Sequence, residues 1–310
     1  MSLIPPLGGP PLPLGEEPSE LHGEPLDEAL DSGGRFWSRF FKTRTAVAGL
    51  AVIVVIAIAA VFARWLAPSS PYTTFPQFNT GPSAAHWLGT DDVGRDILSR
   101  IIYGGQVSLQ ATFQIVGLAL IPALPLGLFA GYFGGWRDGL IMRIMDAMFA
   151  FPPLILAIAV ASLLGKSLFN ESVAIAIVFI PGFVRLIRGQ VLALREETFI
   201  EASRSLGADN RRMITRHVLP NVASPLIVQV ALALGYGLLA EAGLSFLGLG
   251  VQPPRASWGG MLSEAYPYIF QDPWALIVPG VAIALTVLSF NMIADGLRDA
   301  LGRERFRGAE

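Results

Sequence analysis

The chain has 310 residues, a length that fits about two soluble domains. However, 53% of it is hydrophobic and only 15% charged, against roughly 25% charged in soluble globular proteins. With a mean hydropathy of +0.54 this is the composition of a membrane protein. The lack of any cysteine excludes a disulfide framework, a thiolate zinc site, an iron–sulfur cluster and a cysteine nucleophile. The formal net charge of −2 conceals an uneven distribution: residues 1–34 carry seven acids and no lysine or arginine, and the remainder holds 22 basic against 17 acidic side chains.

Residues 1–34 also carry seven prolines and six glycines. They cannot bury enough apolar surface to offset their ordering entropy, and read as a disordered acidic tail. With no basic start and no apolar run before Arg35, the segment does not read as a secretory signal. Residues 35–67 comprise a basic, aromatic stretch, Arg35-Phe-Trp-Ser-Arg-Phe-Phe-Lys42, of the kind that lies at a membrane surface, followed by a first span over Thr45–Ala63. An outer segment, 68–106, follows. A core over 107–295 holds five more spans, since about 20 apolar residues cross the hydrocarbon. The second runs from Val107 to Gly131, with an interfacial opening at Ile101–Gly105 and bends at Pro122 and Pro125. The third is Ala147–Gly165. The fourth is short at Ser172–Val184, unless counted from Leu168 with Arg185 and Arg188 snorkelling. The fifth is Val218–Ala240, the sixth Pro273–Ala294, and 296–310 form a terminal tail. With the N-terminus cytoplasmic, 17 lysines and arginines fall inside and five outside (Arg64, Arg95, Arg100, Lys166 and Arg255), so both ends are expected in the cytoplasm.

No catalytic constellation emerges. There is no HExxH and no GxSxG, and Gly165-Lys166-Ser167 lacks the earlier glycine of a phosphate loop, where Val160 stands. Asp91, Asp92 and Asp96 are not followed by the alternating oxygen ligands of a calcium loop. No catalytic, cofactor or metal residue is assigned.

The inner loop, about 189–220, is more informative. Phe199, Ala202 and Leu206 share one apolar face of a short helix that Gly207 terminates. Asp209 then caps a second helix with Met213, Ile214 and His217 on its apolar face. Three readings fit the residues: docking to a cytoplasmic partner, a solvated basic loop, or a DNA-binding helix-turn-helix carrying Arg204, Arg211, Arg212 and Arg216.

Glu201-Ala202-Ser203, then Gly207 and Leu219-Pro220, resembles the EAA loop of ABC importer permeases; Ser203 replaces the second alanine and His217 the isoleucine. His86-Trp-Leu-Gly-Thr-Asp-Asp-Val-Gly-Arg-Asp-Ile-Leu-Ser-Arg100 and Glu241-Ala-Gly-Leu-Ser-Phe-Leu-Gly-Leu-Gly250 are similar to the second permease of dipeptide and oligopeptide importers. The resemblance covers about Arg35 to Leu301. It implies an all-α, six-helix type I importer permease in the bacterial inner membrane, non-catalytic. The implied partners are a homologous permease, two ATP-binding subunits, an external substrate-binding protein and a peptide substrate, with no nucleic acid. It places Glu201, Ala202, Ser203, Gly207, Leu219 and Pro220 at the coupling contact with the ATPase. The same machine moving a metal chelate, a glutathione-like molecule or an oligosaccharide is the alternative. A secondary transporter is disfavoured, because neither an inverted repeat nor a midplane acid–base pair is visible.

Three further features invite a role. Gln106, Gln110 and Gln114 lie at four-residue spacing on one helix face, and either line a wet path or bond a neighbouring helix. Glu241, alone in a long apolar run, is either a gate or peptide contact or a partnered carboxylate. Gly89 to Arg100 reads as a helix capped by Thr90, with Asp96 and Arg100 at i,i+4 and Val93, Ile97 and Ile101 on one face. Contact with the binding protein or partner permease is its functional reading.

Overall fold

The structure, a computed structural model, describes residues 36–305, with side chains as far as Leu301. The acidic segment 1–34 and the last residues, 306–310, lie outside the described residues. A short helix α1 (36–42) leads into α2 (Arg44–Val61) and a single turn, α3 (Ala63–Leu66). In α1, Phe40 is buried while Trp37 and Phe41 are exposed. An irregular segment then precedes α4 (Ile97–Phe133), α5 (Gly135–Phe149), α6 (Pro153–Leu164) and α7 (Leu168–Arg195). The chain continues through α8 (Thr198–Ser205) to α9 (Asn210–Arg212), which runs through a π-helical turn (Met213–Val218) into α10 (Leu219–Phe246). The last two helices are α11 (Trp258–Ala265) and α12 (Trp274–Arg305). Among the described residues extended pairing is limited to isolated bridges.

Among the described residues five helices are long and apolar enough to cross a membrane, and α5 with α6 makes a sixth only as a pair bent by 90°. The third span therefore differs from the uninterrupted Ala147–Gly165 expected. Pro152 and Pro153 stand side by side in it; each lacks an amide donor and pushes its predecessor out of the helical region, so the helix breaks at 150–152. The 12 residues of α6 reach about 18 Å, short of the hydrocarbon thickness. Ile101–Gly105 continue without a break into the second span: α4 is one helix of 37 residues, about 55 Å long, with Pro122 and Pro125 inside it.

Small residues set the helix seams, as expected where lipid and side chains are equally apolar. Gly127 and Gly131 of α4 face Ile187 and Val191 of α7, and a Cβ at either glycine would stand 2.7 Å from the opposing Cβ. Around this seam Val184, Ile187, Val191, Met213 and Val218 are fully buried. Gly131→Val is expected to cost about 1–3 kcal/mol by overpacking, read as a lower unfolding midpoint in detergent. Gly117→Val, on the same helix with nothing within 4 Å, should leave the midpoint unchanged. Equal midpoints for the two variants would contradict a close seam.

Arg185 and Arg188 do not extend freely toward headgroups. Arg185 pairs with Asp146 at 2.5 Å, and Arg188 donates two bonds to Asp138 at 2.5 and 2.6 Å, tying α7 to α5.

Candidate functional site: the α8 loop and the buried polar groups

Helix α8 buries one residue. Ile200 is buried beneath it, whereas Glu201 and Ala202 are exposed, Phe199 is 40% exposed and Leu206 89%. The expected apolar face of Phe199, Ala202 and Leu206 thus points away from the chain's own core. Gly207, at φ +81°, ends the helix with a Schellman pair: its N–H donates to Arg204 O at 3.0 Å, and Ala208 N–H to Ser203 O at 3.2 Å. Asp209 caps α9 by accepting from Arg212 N–H at 2.9 Å. Tyr132 at the end of α4 donates to Asn210 at 2.8 Å, and Arg195 to Gly131 O at 3.2 Å, so the loop is fixed to the α4–α7 seam. Met213 is buried and His217 half-buried; Leu219 and Pro220 open α10. A cleft of about 490 Å³ is lined by Ser203, Leu206, Gly207, Asp209, Arg212 and His217. Among the described residues, the Glu201 carboxylate makes no ion pair or side-chain hydrogen bond; only its backbone oxygen accepts, from Ser205. The arrangement is a protruding helix presenting two large apolar side chains and one free acid.

The glutamine stripe is divided between two neighbouring helices. Gln106 donates to Ala60 O on α2 at 2.6 Å, and Gln114 accepts from Ser172 on α7 at 3.3 Å, while Gln110 is exposed. Glu241 is fully buried and accepts from Ser245 at 3.0 Å, so in this conformation its carboxylate is closed to solvent.

The signature Gly89–Arg100 folds differently from the expected helix. Thr90 bonds Thr80 and Gln77 O, each at 2.8 Å, and residues 90–96 make turns and bridges. The cap of α4 is Asp96, which accepts from Ser99 N–H at 2.8 Å and also meets His86 Nδ1 at 3.0 Å. Arg100 does not pair with Asp96. Its guanidinium, 1% exposed, donates to Glu264 of α11 at 2.6 Å and stands 3.4 Å from Asp91, while Arg95 joins Asp91 at 2.7 Å and Glu264 at 2.8 Å. Burial pushes the Glu264 carboxyl above the usual range against the pull of Arg100 and Arg95. Asp92 is raised by burial and by the adjacent Asp91. The carboxylates of Asp91, Asp92 and Glu264 thus surround two arginines and pin the irregular segment to α11.

Two groups escaped sequence reasoning. Glu171, buried beside Glu241, looks in sequence like the polar end of a span. A cleft of about 710 Å³ between α6, α7 and α10 is almost wholly apolar, lined by Phe149, Leu154, Ile175 and Phe179, with Gln229 and Tyr236 as polar exceptions. A glutamine in the middle of an uncharged span was the available signal for it.

A bundle of membrane-length helices, with a protruding helix at one end and an ion-pinned segment at the other, defines a multi-pass membrane protein. Residues 123–307 match the family described as "Binding-protein-dependent transport system inner membrane component", and residues 33–82 match the "N-terminal TM domain of oligopeptide transport permease C". The chain belongs to this family of ABC importer permeases of the inner membrane. It is 48% identical over 286 residues to the dipeptide transport system permease protein DppC of Alkalihalophilus pseudofirmus, covering 92% of this chain and 94% of that protein. It is 47% identical over 269 residues to the glutathione transport system permease protein GsiD of Pectobacterium atrosepticum, covering 86% and 89%. Its fold matches a chain of the MetNI methionine ABC transporter in an inward-facing conformation, with a TM-score of 0.52 at 18% identity, covering 65% of this chain and 97% of that one.

Proposed function

We propose that this chain is the second of two homologous permeases in an importer of short peptides, a class that includes glutathione-like molecules, with solute delivered by an external binding protein. The α8 end faces the cytoplasm, in keeping with the sorting of basic residues. There Glu201, Ala202, Ser203 and Gly207 form the coupling contact with one of two separate ATP-hydrolysing subunits, and Leu219 and Pro220 pass its movement into α10. Energy released elsewhere is transmitted as a shift between two arrangements of the bundle. The observation that carries this reading is the exposed face of Phe199, Ala202 and Leu206 on a helix whose one buried residue is Ile200. The dipeptide and glutathione assignments of the relatives support the solute class. The apolar cleft with Gln229 and Tyr236 is the proposed half-path, in preference to Gln106, Gln114 and Glu241, which are engaged within the chain; Gln110 remains a path candidate.

The chain has no cysteine, so Leu206→Cys introduces a unique thiol. In the complex purified with its neighbours, a short thiol-reactive crosslinker is expected to join it to a subunit that binds ATP, and the same change at Tyr236 should not. Crosslinking equally from both positions, or isolation of the permease without ATP-binding subunits, would count against the assignment.

A further inference from the structure

The α11 end of the bundle holds two glutamates whose joint placement the transport reading does not use. Glu171 lies in the first turn of α7 and Glu241 near the end of α10, and both are fully buried. Ser245, one turn beyond Glu241, stands between them, its Oγ 3.1 Å from Glu171 Oε1 and 3.0 Å from Glu241 Oε1. A serine hydroxyl has one hydrogen. With both carboxylates ionised it would serve one and turn its lone pairs toward the other.

The surroundings offer no countercharge. Ser108 of α4 accepts from Trp258 N–H and Ser257 from Gly260 N–H, and the backbone at Gly250 closes over Ser245 and Glu171. Ser172, beside Glu171, spends its hydroxyl on Leu168 O and Gln114. Among the described residues no lysine, arginine or histidine pairs with either glutamate. The cluster of Arg95, Arg100, Asp91, Asp92 and Glu264 is paired within itself, and Arg100 lies about 12 Å along α4 from Ser108. Lys166, five residues before Glu171, is exposed. The second oxygens, Glu171 Oε2 and Glu241 Oε2, are buried without a hydrogen-bond partner. Two anions sharing one hydroxyl in such a place face both desolvation and mutual repulsion.

We propose that Glu171 and Glu241 form a proton-binding site that holds one proton between them through Ser245 and so latches α7 to α10. One proton completes the circuit: the Glu171 carboxyl O–H donates to Ser245 Oγ, and the Ser245 O–H donates to the Glu241 carboxylate. Release of that proton in alkaline solution leaves two anions on one hydroxyl and loosens the α7–α10 contact. The sign follows from proton count. A folded state holding a proton that the unfolded chain has released loses stability as pH rises, about tenfold in the folding equilibrium per pH unit until the pair itself lets go.

The test uses the complex purified with its partner subunits. Infrared spectra at neutral pH should show a carboxylic-acid carbonyl band in the wild type that Glu171→Gln lacks, and Ser245→Ala should shift that band. The unfolding midpoint of the wild type should fall as pH is raised. Glu171→Gln, whose amide N–H can replace the carboxyl donor, should keep the neutral midpoint and lose the alkaline decline. A merely structural role would leave the pH profile in place. Absence of the acid band, an unchanged decline in Glu171→Gln or, should that variant fail to assemble, an unshifted band in Ser245→Ala would each overturn the proposal.

Discussion

Gly207→Val is expected to reduce dipeptide uptake by the reconstituted transporter roughly 5–150-fold, the range of a coupling free energy of about 1–3 kcal/mol, while the complex still reaches the membrane. The reason is local. Gly207 sits at φ +81°, where a side chain costs about 1–2 kcal/mol, and both Schellman bonds that end α8 depend on it. Valine forces the turn open and re-aims Leu206, and with it the apolar face, without touching a membrane helix. Gly207→Asn is the graded control, because asparagine adopts this conformation readily, and it should retain most uptake. Wild-type uptake by the valine variant would remove α8 from the coupling role; loss of the complex from the membrane would mean that the turn matters for assembly instead.

Arg100→Ala is expected to be the most destabilising single change at the junction of the irregular segment with α4. Its guanidinium is 1% exposed and holds Glu264 and Asp91. Its loss leaves three carboxylates facing Arg95 alone, and removing one partner of a buried ionic group costs up to about 3–5 kcal/mol. Arg185→Ala breaks a pair whose side chains are 45% and 62% exposed and should cost about 0–1 kcal/mol. Thermal unfolding of the two variants in one detergent makes the comparison. Similar midpoints would show that the arginine–carboxylate cluster is not a structural pin.

Much of this architecture was legible because apolar runs of membrane length have few other uses. The exceptions are instructive. Pro152-Pro153 stood in plain view within the third run, but hydropathy does not register a missing amide donor, and a continuous helix was expected where the chain turns by 90°. Thr90 and Asp96 are equally good capping residues, and the choice between them was made by tertiary pairing, Thr80 with Thr90, which no local pattern encodes. On α8 the periodicity correctly grouped Phe199, Ala202 and Leu206. It does not say what covers such a face, and here the chain's own core takes Ile200 and leaves the grouped residues outside. Glu171 was hidden because a carboxylate at the edge of an apolar run reads as the run's end. Only folding brings it to Glu241, seventy positions away.

The π-helical turn Met213–Val218 lies between α8 and α10, and its wider hydrogen-bonding pattern accommodates one residue more than an α-helical turn. Because each residue advances an α-helix by about 100°, that extra residue sets the angular phase of everything before it relative to everything after it. Met213 and Val218 are both buried, so the phase is clamped at both ends of the turn. The turn at Asp209 and α8 before it are therefore set against α10 at one particular rotation. Deleting a single residue here would leave the local helix intact while turning the exposed face of α8 through more than a quarter of a revolution.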